Sequence, residues 1–329
     1  MKKKIAMVVL WLMALVCCLV LADKAMRRDD AQRKYGAFFA DQQGFDVLFM
    51  GTSRVLDAIT PMELWRDFGV TSYNMGNNSE PLEMTYHVLK YAMGVHKPKV
   101  VVVDVFYMDH AINEAWAFPY RHMFLDAVPF GREKIDIVKA TLPKDEWLEF
   151  LMPFSLYHGR WEQILSGEQE RMVECEPYMM GGEFRPTRTD RTDYAFTDAM
   201  VEQEAPGAQA LRDIAALCKE NGVELVFVAL PGHAAEEKQM YINSAAPVAE
   251  EVGVPFVNMI PMGVIDRQQD CYDAEGHLNP DGASKATAWL GTYLTQNYAL
   301  EDKRGTAGYA HWEENLMAYE AHRAQVWAQ

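Results

Sequence analysis

The chain has 329 residues, half of them apolar, and a formal net charge of −16. That length is enough for one large domain, or two small ones, with a sizeable buried core. The acidic balance leaves no basic stripe to neutralise phosphates, which argues against a nucleic-acid partner; capture of an anionic polymer would need a local cationic patch.

The first element is an uncharged apolar run, Ile5 to Ala22, behind Lys2, Lys3 and Lys4. As a helix it would be about 27 Å long at 1.5 Å per residue, close to the hydrocarbon thickness of a bilayer. A cleaved signal peptide, with Val20 and Ala22 at the small positions before the cut, is the alternative; the length of the run favours a retained anchor over residues 1–22. Both readings export the rest of the chain. The short basic head puts the amino terminus in the cytoplasm and the remainder outside, although Lys24, Arg27 and Arg28 follow the run. Lipoprotein cleavage is disfavoured because Val16 precedes Cys17. Beyond the run only Cys175, Cys218 and Cys271 remain, spaced for neither a disulfide framework nor a zinc site, and they read as buried free thiols.

Residues 23–44 are polar and charged, the pattern of a helical stalk. From Phe45 strands and helices alternate. Val47–Met50 is the first strand, Pro61–Phe68 a helix closed by Gly69, and Val70–Met75 a second strand stopped at Gly76. Pro81–Met93 carries a helical stripe of Leu82, Tyr86, Leu89 and Met93, and Lys99–Phe106 reads as a central strand buried on both faces. Residues 107–205 lose this rhythm; rich in Trp, Phe, Tyr, Met and Pro, they read as a helical insertion over the mouth of the sheet. The alternation returns with a helix over Gly207–Asn221 capped by Gly222, a strand over Val223–Leu230, a helix over Ala234–Val252, a strand over Val254–Asn258 and a helix over Ala283–Asn297. In the tail, residues 301–329, a helix from Tyr309 would dock through Trp312, Leu316 and Tyr319. Five strands separated by helices predict an α/β fold, a doubly wound parallel sheet over residues 45–300 with helices on both faces.

The strand before Gly51 leaves Ser53 at the carboxyl end of a parallel strand, where open α/β sheets bind their ligands. The plainer alternative makes Ser53 the N-cap of the next helix. His277, in a glycine-containing loop before the last helix of the body, belongs to the same edge. A serine hydroxyl needs a base within hydrogen-bond reach to become a nucleophile, and Asp273 could turn back to fix the imidazole tautomer. A lone Asp–His pair is more often a surface contact; two partners at one sheet edge point toward chemistry.

Gly51-Thr52-Ser53 after a strand, Asn74-Met75-Gly76 after the second, and Asp273-x-x-x-His277-Leu278-Asn279 before the last helix resemble the SGNH/GDSL hydrolase superfamily. More narrowly, with Arg54, Lys97-Pro98-Lys99, Tyr157-His158-Gly159-Arg160-Trp161 and Pro280-Asp281-Gly282-Ala283, the chain resembles membrane-anchored bacterial members similar to the D-alanyl-lipoteichoic acid biosynthesis protein D family. The resemblance runs from residue 45 onward and is most specific at its two ends. It implies a flavodoxin-like, SGNH-type sheet, Ser53 as nucleophile, His277 as base and then acid, and Asp273 as its orienting carboxylate. It also implies an oxyanion hole from the N–H groups of Ser53 and Gly76.

The chain departs from the family pattern in two places. The Asn that many superfamily members supply after the central strand is missing from Phe106-Tyr107-Met108-Asp109, so Asn77 or Asn78 would have to substitute. Gly276 lengthens the Asp-to-His spacing by one residue, which makes Glu275 a rival carboxylate. An α/β-hydrolase elbow fits less well, since position 55 is Val and not Gly. Arg54, Tyr107, His158 and Arg160 are candidates for substrate contact, with an Arg160 packed on Trp161 as the plainer reading. No cofactor or metal is expected.

The resemblance implies an extracytoplasmic serine esterase or O-acyltransferase acting on acyl esters of a cell-envelope glycopolymer, with a membrane O-acyltransferase as possible partner. A carbohydrate or lipid esterase, or a non-catalytic envelope scaffold keeping the fold, are the alternatives.

Overall fold

The computed structural model describes residues 2–166, 173–189 and 195–327. Helix α1 (Lys2–Met26) is long and apolar enough to cross a membrane or to serve as a signal sequence, and none of its residues is buried. Helix α2 (Asp30–Ala40) follows after only three residues. Expected to belong to a solvated stalk, it is a wall of the core. Tyr35 and Phe38 are fully buried, and Phe38 packs on Phe45 and Tyr73 at 5.5 and 5.2 Å. Its polar composition misleads because Lys34 is on the buried face, donating to the carbonyls of Gly181 (2.8 Å) and Asn74 (3.3 Å).

The sheet is built from β1 (Val47–Met50), β2 (Ser72–Asn74), β3 (Val100–Asp104), β4 (Glu224–Ala229) and β5 (Phe256–Asn258). All pairs are parallel and the order is β2-β1-β3-β4-β5. Val47 pairs with both Ser72 and Val100, and Val100 with Glu224. Strand β3 shows why the run of valines reads as it does. Val101 and Val103 enter one core while Val100 and Val102 enter the other, so both faces must be apolar. In this order the chain changes direction between β1 and β3, and the crevice beyond their carboxyl ends is where such sheets hold ligands.

Between β1 and β2 come α3 (Ser53–Ala58) and α4 (Pro61–Phe68), and between β2 and β3 comes α5 (Leu82–Val95). The insertion holds α6 (Phe118–Leu125), α7 (Arg132–Thr141), α8 (Trp147–Leu151), α9 (Phe154–Tyr157) and α10 (Trp161–Ser166), with no strand among its described residues. Only part of it reaches the mouth of the sheet: the Tyr120 carbonyl accepts from Asn77 Nδ2, and the Met180 carbonyl from Asn74 N–H. Helix α9 packs instead against α1.

Helix α11 (Ala208–Asn221) ends at Gly222, and α12 (Glu236–Asn243) and α13 (Ala245–Val252) replace the single helix expected between β4 and β5. Pro247 has no N–H to bond back across Ser244, so the helix breaks there. Helix α14 (Pro280–Asn297) starts three residues before the expected Ala283, because Asn279 caps it by accepting from the N–H groups of Asp281 and Gly282, each at 3.1 Å. Helix α15 (Ala310–Val326) docks as expected. Trp312 is fully buried 5.3 Å from Trp65, and the Tyr319 hydroxyl donates to Glu63 at 2.7 Å. Cys175, Cys218 and Cys271 are buried and form no disulfide among the described residues.

Candidate active site

Strand β1 delivers its last residue to Gly51, whose φ of 143° lies in the region that favours glycine. A Cβ there would stand 2.9 Å from Val55 and 3.0 Å from Asp104. Helix α3 then begins, with Thr52 as its N-cap and the Thr52 hydroxyl accepting from Arg54 N–H at 3.1 Å. The capping alternative for Ser53 is thereby excluded. Ser53 is the first helical residue, its hydroxyl is free of capping, and its N–H is one of those that a helix start leaves without an internal partner.

The second half of the site comes from the loop between β5 and α14. Cys271 and Leu278 form an antiparallel bridge, and Tyr272 N–H donates to the His277 carbonyl at 3.0 Å, which closes a tight loop. Within it Asp273 Oδ1 accepts from the N–H groups of Glu275, Gly276 and His277 at 2.9–3.1 Å. Asp273 Oδ2 is 2.6 Å from His277 Nδ1, and His277 Nε2 is 2.7 Å from Ser53 Oγ. Three side chains separated by 224 positions thus form one continuous hydrogen-bonded chain.

Of the two rival carboxylates, Asp273 is the one bonded to the imidazole. The extra residue in the spacing is absorbed by Gly276, at φ 86°, where a Cβ would lie 2.2 Å from His233 N. Burial opposes the ionisation of Asp273, but its hydrogen bonds to the His277 ring and to loop amides outweigh burial and hold its carboxyl at about 2. Asp273, Glu275 and His277 are also a grouping whose ligand atoms could gather around a cation. A cation taking the His277 nitrogen would break the chain just described.

Arg54, expected at the substrate, is buried and turned the other way. Its guanidinium donates to the carbonyls of Gly276 (2.8 Å), Glu275 (2.5 Å) and His233, and lies 4.3 Å above the Phe106 ring. Burial lowers its pKa and the nearby Asp104 carboxylate opposes that shift. The residue next to Ser53 therefore ties helix α3 to the loop that carries His277. One signal in the sequence pointed to this role. A cation in the first turn of a helix opposes the macrodipole, so an Arg there needs another reason.

Gly76 and Asn77, two of the expected donors, are occupied. Gly76 N–H donates to Asn74 Oδ1 at 3.0 Å, Asn77 N–H to the Gly51 carbonyl at 3.0 Å, and the Asn77 amide to the Tyr120 carbonyl and, at 3.5 Å, to Glu80. Gly76 is still required where it stands, since a Cβ would lie 2.6 Å from Leu56 N. Tyr107 does reach this rim. Burial raises its hydroxyl pKa, a hydrogen bond with Ser79 opposes that, and the charges of Glu275 and Arg54 act on it. His158 and Arg160 do not join the group. His158 bonds the Ser155 carbonyl, while Arg160 bonds Gln163 and caps α1 through the Met26 carbonyl at 2.8 Å. Arg160 stacks over Tyr157 at 5.8 Å.

Sequence reasoning missed Tyr272. Its ring stacks on His277 at 5.6 Å and its hydroxyl donates to Asp57 at 3.3 Å. Behind it Asp57, Glu183 and Arg185 form a buried charged cluster, in which desolvation raises both carboxyl pKa values.

No family model matches the chain, and no curated protein matches it. Among solved structures it is similar to a G-D-S-L family lipolytic protein from Desulfitobacterium hafniense, at 10% identity and a TM-score of 0.39 over 75% of this chain and 98% of that one. It is likewise similar to a GDSL-like lipase from Bacteroides thetaiotaomicron, at 10% and 0.37 over 76% and 87%, and to a protein from Lactobacillus plantarum, at 11% and 0.41 over 78% and 99%. At these scores the alignments carry no argument; the strand order and the hydrogen-bonded side chains do.

Proposed function

We propose that the protein is an SGNH-type serine enzyme that forms an acyl-Ser53 intermediate. The observation that carries this reading is the unbroken chain from Ser53 Oγ through His277 to Asp273, at 2.7 and 2.6 Å. As Ser53 Oγ bonds to the acyl carbon of an ester, its proton passes to His277 Nε2. The imidazolium so formed is stabilised by Asp273, which stays ionised. That proton then leaves with the alcohol, breaking the ester bond and leaving Ser53 acylated. Water or an acceptor hydroxyl next gives its proton to His277 as its oxygen attacks, and Ser53 recovers its proton when the product departs. Ser53 N–H supplies an oxyanion donor, a type of contact worth roughly 3–4 kcal/mol in the transition state.

The acceptor we favour is a hydroxyl of a cell-envelope glycopolymer, which makes the enzyme an extracytoplasmic O-acyltransferase held by α1 as a retained, single-pass anchor with its amino terminus in the cytoplasm. A membrane O-acyltransferase delivering acyl groups fits this reading. It is supported by the motifs at the two ends of the domain and by the apolar length of α1. The occupied Gly76 N–H favours one competing reading, a scaffold without turnover.

A fluorophosphonate probe tests the chemistry. The wild-type chain should label at Ser53 and Ser53→Ala should not; equal labelling of both, or none of either, would leave the scaffold. Given an acyl ester and a polyol, transfer to the polyol supports the acyltransferase, and release of free acid alone supports a deacylating esterase.

A further inference from the structure

Large apolar side chains usually stay scattered on a soluble surface, yet here six exposed ones fall within residues 148–165 of the insertion. Leu148, Met152, Leu156, Trp161, Ile164 and Leu165 are all exposed, Leu165 by 78%, and Phe130 beside them by 71%. Their place in the fold says what covers them. Helices α8 and α9 face the carboxyl-terminal half of α1 across a groove of about 940 Å³, whose walls include Val16, Leu19 and Val20 on one side and Leu151, Met152 and Phe154 on the other.

From this juxtaposition we infer that the face of residues 148–165, with Phe130, lies in the outer boundary layer of the bilayer and contacts lipid acyl chains. The inference rests on α1 crossing the membrane. The apolar run of α1 ends at Ala22, so Val20 and Val16 lie two and six residues inside it, about 3 and 9 Å below the hydrocarbon edge at 1.5 Å per residue. The groove's far wall is built at that depth, which is the roughly 5–10 Å to which apolar faces of interfacial helices sink. Trp161 is the residue type that membrane–water boundaries favour, and Lys24, Arg27 and Arg28 edge the same groove at headgroup height. A protein partner could cover an apolar face elsewhere on the body; a face that shares a groove with the buried turns of a membrane helix meets lipid first. The consequence is a second attachment that fixes the tilt of the body, so that the rim carrying Ser53 holds one orientation to the membrane.

The test uses spin labels on the full-length chain in phosphatidylethanolamine–phosphatidylglycerol nanodiscs, with Cys17 and Cys18 changed to Ala. Labels are placed singly at Leu156→Cys, Leu165→Cys, Leu12→Cys in α1, and Met262→Cys beyond the edge strand β5. Collision with oxygen, which partitions into lipid, is compared with collision with a water-soluble nickel chelate. Labels at 156 and 165 should give an oxygen-to-nickel ratio several-fold above that of position 262 and below that of position 12, which lies about 15 Å inside the run at 1.5 Å per residue. Position 12 in lipid with 156 and 165 matching 262 overturns the interfacial seat and leaves the anchor standing. Position 12 exposed to nickel overturns the anchor and the seat together. Labels at 156 and 165 shielded from both reagents overturn it in favour of a protein contact. None of these outcomes bears on probe labelling of Ser53, which is read separately.

Discussion

Two loops leave the carboxyl edge of the sheet, and each is folded around one polar side chain with opposite results. In the loop of residues 271–279, Asp273 gathers three backbone N–H groups on Oδ1 and leaves Oδ2 for His277. In the loop after β2, Asn74 turns everything inward. Its amide donates to the carbonyls of Val55 (2.7 Å), Leu56 (3.3 Å) and Ile59 (2.8 Å), and its Oδ1 takes the Gly76 N–H. The first loop presents to Ser53 an imidazole oriented by a carboxylate. The second locks α3 in place and consumes the donor expected to face the substrate. Which residues sit near a nucleophile is thus a weaker guide than which of their atoms are already bonded.

The comparison can be broken at its reactive side first. His277→Ala should lower the rate of fluorophosphonate labelling by about 10⁶, and Asp273→Asn by about 10⁴, since the amide keeps the geometry but spoils the tautomer. Equal rates for Asp273→Asn and wild type would remove Asp273 from the chain. On the structural side, Asn74→Ala takes the amide donor from the carbonyls of Leu56 and Ile59 and the acceptor from the Gly76 N–H, while the Val55 carbonyl keeps the Ile59 N–H, and should destabilise the fold by roughly 2–4 kcal/mol in urea titration. A loss below about 0.5 kcal/mol would show that Asn74 is not the lock described here.

Glu80, in the same inward loop, sharpens the contrast with Asp273 through pH. Burial raises its carboxyl to about 8, against hydrogen bonds from Thr85 and Asn77, so the folded chain holds this proton where the unfolded chain has lost it. Stability from this group is fully present below about pH 4, declines as pH rises toward 8, and is flat above. Glu80→Gln should remove that decline from denaturation midpoints measured between pH 5 and 8; an unchanged slope would exclude Glu80 as its source. Asp273 works in the other direction, its contribution being present above about pH 4 and lost as pH falls toward 2. The smallest effect expected is that of Glu275→Gln, less than about threefold on labelling, because Glu275 meets Arg54 through its backbone carbonyl and not its carboxylate.

Much of the fold was legible because parallel strands buried on both faces must be continuously apolar, and because Gly and Pro mark where helices stop and start. The pairing of Ser53 with His277 was legible for a related reason, since both follow from topology: each sits just past a strand or just before a helix at one edge. Three things were not. Helix α2 hides its burial behind Lys34, a charge that backbone carbonyls accept in the interior. The direction of the Gly76 peptide depends on Asn74 two residues earlier, and spacing says nothing of which way an N–H points. Arg54, His158 and Arg160 were placed near the substrate by motif and residue type, while the structure uses Arg54 to bind carbonyls between loops and Arg160 to cap α1.

The link between α1 and α2 sets a limit on encounter. Arg27, Arg28 and Asp29 are all that separate the two helices, Arg27 grips Asp23 and the Asp126 carbonyl, and Arg28 pairs with Asp30. With α1 crossing a bilayer, there is no leash by which the body could swing outward. On the proposed reading Ser53 would then patrol a sheet of space at constant altitude, travelling only as fast as the protein diffuses laterally. A substrate reaching beyond that altitude would have to bend down to be modified, so the search would belong to the substrate's own flexibility.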